Sequence, residues 1–278
     1  MRLWILALTV LMLAGCARFE RIFVPDARLV DERWLRKAEP PGQQIDHAAW
    51  DAFLARYLTT DAAGVNRLAY GAVTAADREQ LEHYLQDLQR VAPADLTRDQ
   101  QLAYWINLYN AATVRLVLDA YPVDSIRRLG DGPLTFGPWD RKVVVVDGVA
   151  LGLNEIEHDI VRPVFDEPAV HMALNCAAVG CPNLQATAWR AHGIDRRLAA
   201  AERAYVNDPR GVRVHADGRL ILSKIYIWFQ EDFGTDQRAV LRHVASFAEP
   251  PLREEIERRT HVDGYAYDWS LNDADVRR

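Results

Sequence analysis

Two cysteines five residues apart, Cys176 and Cys181, stand in "HMALNCAAVGCPNL" at residues 171–184. Several chemistries fit such a pair. Gly180 and Pro182 mark a tight turn, and four intervening residues can bring two cysteine Cα atoms within disulfide range. A free Cys176 thiol would instead be a nucleophile, given a lowered pKa and a base. With His158 and His171 the pair supplies ligand types that suit zinc. No Cys-x-x-Cys or His-x-x-x-His spacing anchors such a site, so the expectation is no metal and no cofactor. Thiol–disulfide exchange is a minor reading, because the Cys-x-x-Cys that redox folds place at a helix start is absent.

A nucleophile needs a base. "AVHMALN" reads as a buried strand, which puts His171, Ala173 and Asn175 on one face and Met172, Leu174 and Cys176 on the other. Five strand residues also separate His171 from Cys176 by about 16 Å. His158 is the better base. It lies one turn into a helix read from "NEIEHDIVRPVF", with Asn154 as N-cap, Glu157 three residues on, and Glu155 spaced to orient the imidazole. Asn107 and Asn110 lie among Trp105, Ile106 and Tyr109 on the most apolar helix, and buried amides must be hydrogen-bonded. They either tie loop backbone to the helix or orient a histidine and line a pocket. The candidate catalytic set is Cys176, His158, His171 and Asn107; Asn110, Asn175, Trp105, Glu155 and Cys181 are candidate binding residues. Main-chain amides of the Ala177–Gly180 turn are candidates for holding an oxyanion.

The elements that must position these residues follow from periodicity. "DHAAWDAFLARYL" and "LEHYLQDLQRV" each carry one apolar helical face. "TRDQQLAYWINLYNAATVRLVLDAYP" is apolar nearly all round, opens with a Thr97–Gln100 capping box and stops at Pro122, so it belongs at the centre. "KVVVVDGVALGL" and "VRVHADGRLILS" are hairpins turning at Asp147-Gly148 and Asp217-Gly218, and "KIYIWFQEDFG" is a short helix. Helices dominate the first half and hairpins the second. The expected class is α+β, a helix-rich first half packed on a small antiparallel sheet.

The 278 residues suffice for a core without staples, and the formal charge of −6 argues against a nucleic-acid partner. The start, "MRLWILALTVLMLAGC", has a basic Arg2 and an apolar stretch too short to span a bilayer, as a signal peptide has. Its end, Leu13-Ala14-Gly15-Cys16, resembles a bacterial lipobox. The expected organisation is a leader at 1–15, a tether at 16–44 and a single domain at 45–278. By that resemblance Cys16 carries lipid, and Ala17 after it favours the outer membrane over the inner, with the protein facing the periplasm. That leaves Cys176 and Cys181 as one pair in an oxidising compartment.

"YWINLYNA", "LNEIEH", "VHMALNCAAVGCPNL", "SKIYIWFQEDFG" and "YDWSLN" occur in this order between residues 104 and 272. Together they resemble the domain-of-unknown-function family 547. The resemblance implies no activity, but Asn107, Asn110, Glu157, His158, His171, Cys176 and Cys181 all fall inside its blocks. Relatives tend to have a Gly-Ser-like pair after the first cysteine where this chain has Ala177-Ala178. Two functions remain open. One is a periplasmic thiol enzyme, of hydrolase or acyl-transferase type, with Cys176 as nucleophile and an envelope substrate. The other is a non-catalytic module with a Cys176–Cys181 staple, in which Trp105, Trp139, Tyr226, Trp228 and Trp269 line a groove for a partner or form core.

Overall fold

A computed structural model describes residues 20–21, 24–39, 43–130, 132 and 137–275. The leader at 1–15 and Cys16 lie outside the described residues. The fold is α+β. Three helices open it: α1 (Ala48–Tyr57), α2 (Ala75–Gln89) and α3 (Arg98–Ala120). α3 starts at the Thr97–Gln100 capping box and is buried continuously from Gln101 to Val114. α2 packs against it on one side. Between α1 and α2 runs a hairpin of β1 (Leu58–Thr60) and β2 (Asn66–Leu68) that the periodicity does not announce.

The two expected hairpins form. β3 (Val144–Val146) and β4 (Val149–Leu151) turn through Asp147 and Gly148, whose φ values of 49° and 77° suit a two-residue loop. β5 (Val212–Val214) and β6 (Leu220–Ser223) are antiparallel. Among the described residues the strands make three separate small sheets rather than one. In the third, β7 (Gly264–Ala266) adds in parallel to β6, a pairing that depends on chain far downstream. Helices continue through the second half: α5 (Ile194–Val206), α6 (Ile225–Trp228), α7 (Gln230–Phe233), α8 (Gln237–Phe247) and α9 (Pro250–Glu257).

Two local expectations are corrected. The segment after β4 is a π-helix, Glu155–Val161, that tightens into the single α turn α4 (Arg162–Phe165). Asn154 does not cap it: its backbone is already helical, and Glu155 instead accepts from Gly152 N–H at 2.7 Å. The run "AVHMALN" is no strand. Pro168–Met172 is a 3₁₀ helix capped by Glu167, whose carboxylate accepts from Ala169 N–H. A short apolar run fits a strand and a buried helical turn equally well, and the Glu-Pro start decided it locally.

Part of the segment read as a tether lies against the domain. Trp34 is buried edge-on to Trp105, with ring centroids 5.3 Å apart. Arg28 N–H donates to His158 O, and Ala38 N–H to Leu96 O. At the other end, residues 268–273 run back along the cysteine loop. Val179 and Gly180 donate to Ser270 O and Asp268 O, and Asn272 donates to Ala177 O. Gly180 is needed there, because a Cβ would come within 2.7 Å of the Asp268 nitrogen.

Candidate functional site

The 3₁₀ turn lets the chain bend between His171 and Cys176, so both side chains line one cavity of about 160 Å³. No strand holds the two side chains on opposite faces. Glu157 and His158 come from the π-helix, Tyr109 from α3, Ile225, Trp228 and Phe229 from the α6 region, and Tyr267 and Trp269 from the C-terminal segment. π-turns are frequent at functional sites, and this one brings two consecutive residues, Glu157 and His158, to the cavity.

Cys176 and Cys181 form a disulfide, with Cα atoms 6.3 Å apart. The two sulfurs are not equivalent. Cys176 is part-exposed on the cavity, while Cys181 is buried. Cys181 Sγ accepts from Cys176 N–H at 3.0 Å, and the Tyr267 hydroxyl lies 3.1 Å from both sulfurs. Burial pushes the Tyr267 phenol well above its ordinary pKa, so it remains a donor.

The two histidines are in opposite states. His171 stacks on Phe229 and faces Asp232 Oδ2 at 2.6 Å through Nε2 and Glu157 Oε1 at 3.6 Å through Nδ1. Burial opposes its charge, but the hydrogen bonds to Asp232 and Glu157 win and raise its pKa. His158 meets a cation instead. Its Nδ1 lies 3.1 Å from the Arg162 guanidinium, which only donates, so Nδ1 holds the lone pair and Nε2 the proton. Burial drives His158 down to about 4, against the pull of Glu157 and helped by Arg162. Arg162 forks onto Asp232 at 2.6 and 2.9 Å and reaches Glu231 at 2.8 Å. Burial pushes Glu157 up, but His158, His171 and Arg162 outweigh it and hold its carboxyl at about 2. Asp232 is likewise held well below the carboxylate range: burial raises it, and the His171 and Arg162 hydrogen bonds more than reverse that.

Other expected site residues serve the frame. Asn107 donates to Trp189 O and accepts from Trp189 N–H, both at 2.9 Å. Asn110 does the same for Ala173 O and Asn175 N–H at 2.9 and 2.8 Å. Both amide atoms of Asn107 thus engage the Trp189 backbone. Asn175 spans the cysteine loop, donating to Pro182 O and accepting from Ala177 N–H. That bond helps hold Ala177 at a φ of 60°, the left-handed backbone that a glycine there would adopt without cost. Trp105 is core, against Trp34 and Tyr104. Glu155 pairs with Lys142 and Gly152 rather than with His158.

Three of the four Ala177–Gly180 amides are also engaged: Ala177 on Asn175, Val179 on Ser270 and Gly180 on Asp268. Among the described residues no group of three His, Cys, Asp or Glu side chains is placed to hold a metal ion. The sequence reading missed Arg162, Asp232 and Tyr267 as site residues. Arg162 stands four residues after His158, a same-face spacing that was open to notice, and the other two lie in the "QEDF" and "YDW" blocks.

No curated protein and no solved structure matches the chain. A family model matches residues 93–206, from the turn before α3 through the π-helix, His171 and both cysteines to the end of α5. Asp232 and Tyr267 lie beyond that stretch. The family whose model matches residues 93–206 is described as Protein of unknown function, DUF547.

Proposed function

We propose that the protein is an envelope thiol enzyme, held by lipid on Cys16 at the outer membrane and facing the periplasm, that works by thiol–disulfide exchange at Cys176–Cys181. The leader-like residues 1–15 and the lipobox-like end at Cys16 support the location. The observation that carries the chemistry is the asymmetry of the two sulfurs. Both cysteines line the cavity, but Cys176 is part-exposed there, while Cys181 is buried and accepts from Cys176 N–H as well as facing the Tyr267 hydroxyl.

An incoming thiolate attacks Cys176 Sγ. A new S–S bond forms there as the Cys176–Cys181 bond breaks, and the released electron pair stays on Cys181 Sγ. That thiolate keeps the Cys176 N–H at 3.0 Å and the Tyr267 O–H at 3.1 Å. Donors to a charged sulfur are the stronger kind, and a stabilised leaving thiolate leaves faster. A second thiol of the substrate then attacks the mixed disulfide. The substrate departs as a disulfide, and the two cysteines retain its two electrons as a dithiol.

Acyl transfer or hydrolysis at Cys176 asks for more. It needs a base within reach and donors for an oxyanion. Both nitrogens of His171 face carboxylates, the His158 lone pair faces Arg162, and three amides of the cysteine loop are engaged. Exchange needs none of these, because the attacking thiolate brings its own electron pair.

The test counts alkylatable thiols by mass while the native mature chain is titrated with dithiothreitol. The expected result is an opening disulfide in the folded chain. Cys181→Ser should then hold a stable mixed disulfide with a cysteine peptide at Cys176, and Cys176→Ser should hold none. A pair that stays closed until denaturant is added would make it a staple, and the protein a non-catalytic module.

A further inference from the structure

The exchange reading leaves open which thiol enters, and the cavity wall narrows the choice. Beside Cys176 stand Tyr267, Trp228 and Trp269, with ring centroids 4.7 to 5.5 Å from one another, and Leu174. The carboxylates at the cavity are already matched: Glu157 faces His171, and Glu20 takes Lys224 at 2.7 Å. Arg127, 5.2 Å from the Trp269 ring centroid, is a cation at the same cavity, so an additional positive charge brought here would lose water and find no unmatched carboxylate.

A second observation concerns backbone. The chain's own residues 24–28, outside any helix or strand, cross the cavity rim: Pro25 O accepts from Arg162 at 3.1 Å, and Arg28 N–H donates to His158 O at 2.9 Å. Val24 and Pro25 themselves line the cavity. This rim therefore already holds polypeptide by main-chain hydrogen bonds. A third concerns a donor. His158 is 4% exposed and lines the cavity, and its Nε2 has no hydrogen-bond partner among the described residues.

We propose that the substrate thiol is a cysteine in an extended polypeptide, flanked by an uncharged apolar or aromatic residue that packs on Tyr267 and Trp228, with a neighbouring main-chain carbonyl accepting from His158 Nε2–H. This rests on the exchange reading. The attack on Cys176 and the release of Cys181 are those described above; the added element is recognition, which a small dithiol lacks.

The test measures how fast three thiols open the native disulfide: dithiothreitol, a peptide with Trp and Leu beside its cysteine, and one with Lys and Arg there. Dividing each rate by that thiol's rate on a small reference disulfide removes intrinsic reactivity. The apolar peptide should exceed the basic one by about tenfold, the worth of burying one such side chain in place of a charge. His158→Asn keeps an acceptor for Arg162 and removes the ring N–H. It should lower the ratio of the apolar-peptide rate to the dithiothreitol rate about tenfold, the scale of one hydrogen bond. Equal normalised peptide rates, or a ratio that His158→Asn leaves unmoved, would overturn the substrate assignment. Failure of dithiothreitol itself to open the pair would overturn the exchange reading instead.

Discussion

Tyr267 contributes one of two donors to Cys181, and the other is the backbone amide of Cys176 itself. That makes Tyr267→Phe a clean probe. The phenylalanine ring keeps the contacts with Trp228 and Trp269, so the wall survives while the hydroxyl goes. A hydrogen bond to a charged group is worth about 1.5–3 kcal/mol, so release of Cys181 should slow at least about tenfold. The titration midpoint of the Cys181 thiol in the dithiol form, followed by thiolate absorbance, should rise by about one unit or more. An unmoved midpoint would mean that the phenol does not serve the thiolate. The two histidines make the same point about context. Burial lowers both; the two carboxylates at His171 reverse it and send that pKa up, while the guanidinium at His158 adds to it and leaves that pKa down.

At the scale of elements, α3 is the post from which the cysteine loop hangs. Asn107 and Asn110 each satisfy one backbone N–H and one carbonyl of distant chain. Truncation strands both groups in the core, at about 1–3 kcal/mol for each unsatisfied group. Asn107→Ala should therefore cost about 3 kcal/mol in urea unfolding, with the slope unchanged. Asn110→Ala should cost a similar amount and also alter the rate at which dithiothreitol opens the disulfide, because it frees Asn175 beside Cys176. Equal exchange rates in the two variants would show that the loop does not depend on this anchor. α3 itself was legible from its capping box and unbroken apolarity, and both later hairpins from their Asp-Gly turns. The π-helix and the 3₁₀ turn were not, because a short apolar run fixes no period. The site was legible only where residue type announced it, in the cysteines, the histidines and the buried amides. Asp232 meets His171 across 61 residues, and Tyr267 meets Cys176 across 91. Nothing local in either neighbourhood specifies those meetings. The parallel pairing of β7 with β6 is hidden for the same reason.

For the whole molecule, buried histidines set how stability answers to pH. In the unfolded chain each titrates near 6.5. His158 and His47 are both held neutral in the folded chain, down to about 4, chiefly by burial. Below pH 6.5 the unfolded state takes up two protons that the folded state refuses. Stability should therefore fall as pH drops from about 6.5 toward 4, by about 1.4 kcal/mol per pH unit for each histidine. His171 acts in the opposite direction. Its folded pKa is raised, so its contribution is complete below about 6.5 and is lost as pH climbs through the folded value. Glu157, held at about 2, and Asp232, held lower, extend the acid loss below the usual carboxylate range. Together these place maximum stability near pH 6.5, between an acid flank owned by two histidines and an alkaline flank owned by one. Urea unfolding across pH 4.5–8 separates them. His158→Asn should roughly halve the acid slope and leave the alkaline one, while His171→Gln should flatten the alkaline flank at a large cost in overall stability, since Asp232 and Glu157 lose their shared cation. An acid slope that His158→Asn does not change would assign that flank to the carboxylates and contradict a neutral His158 against Arg162.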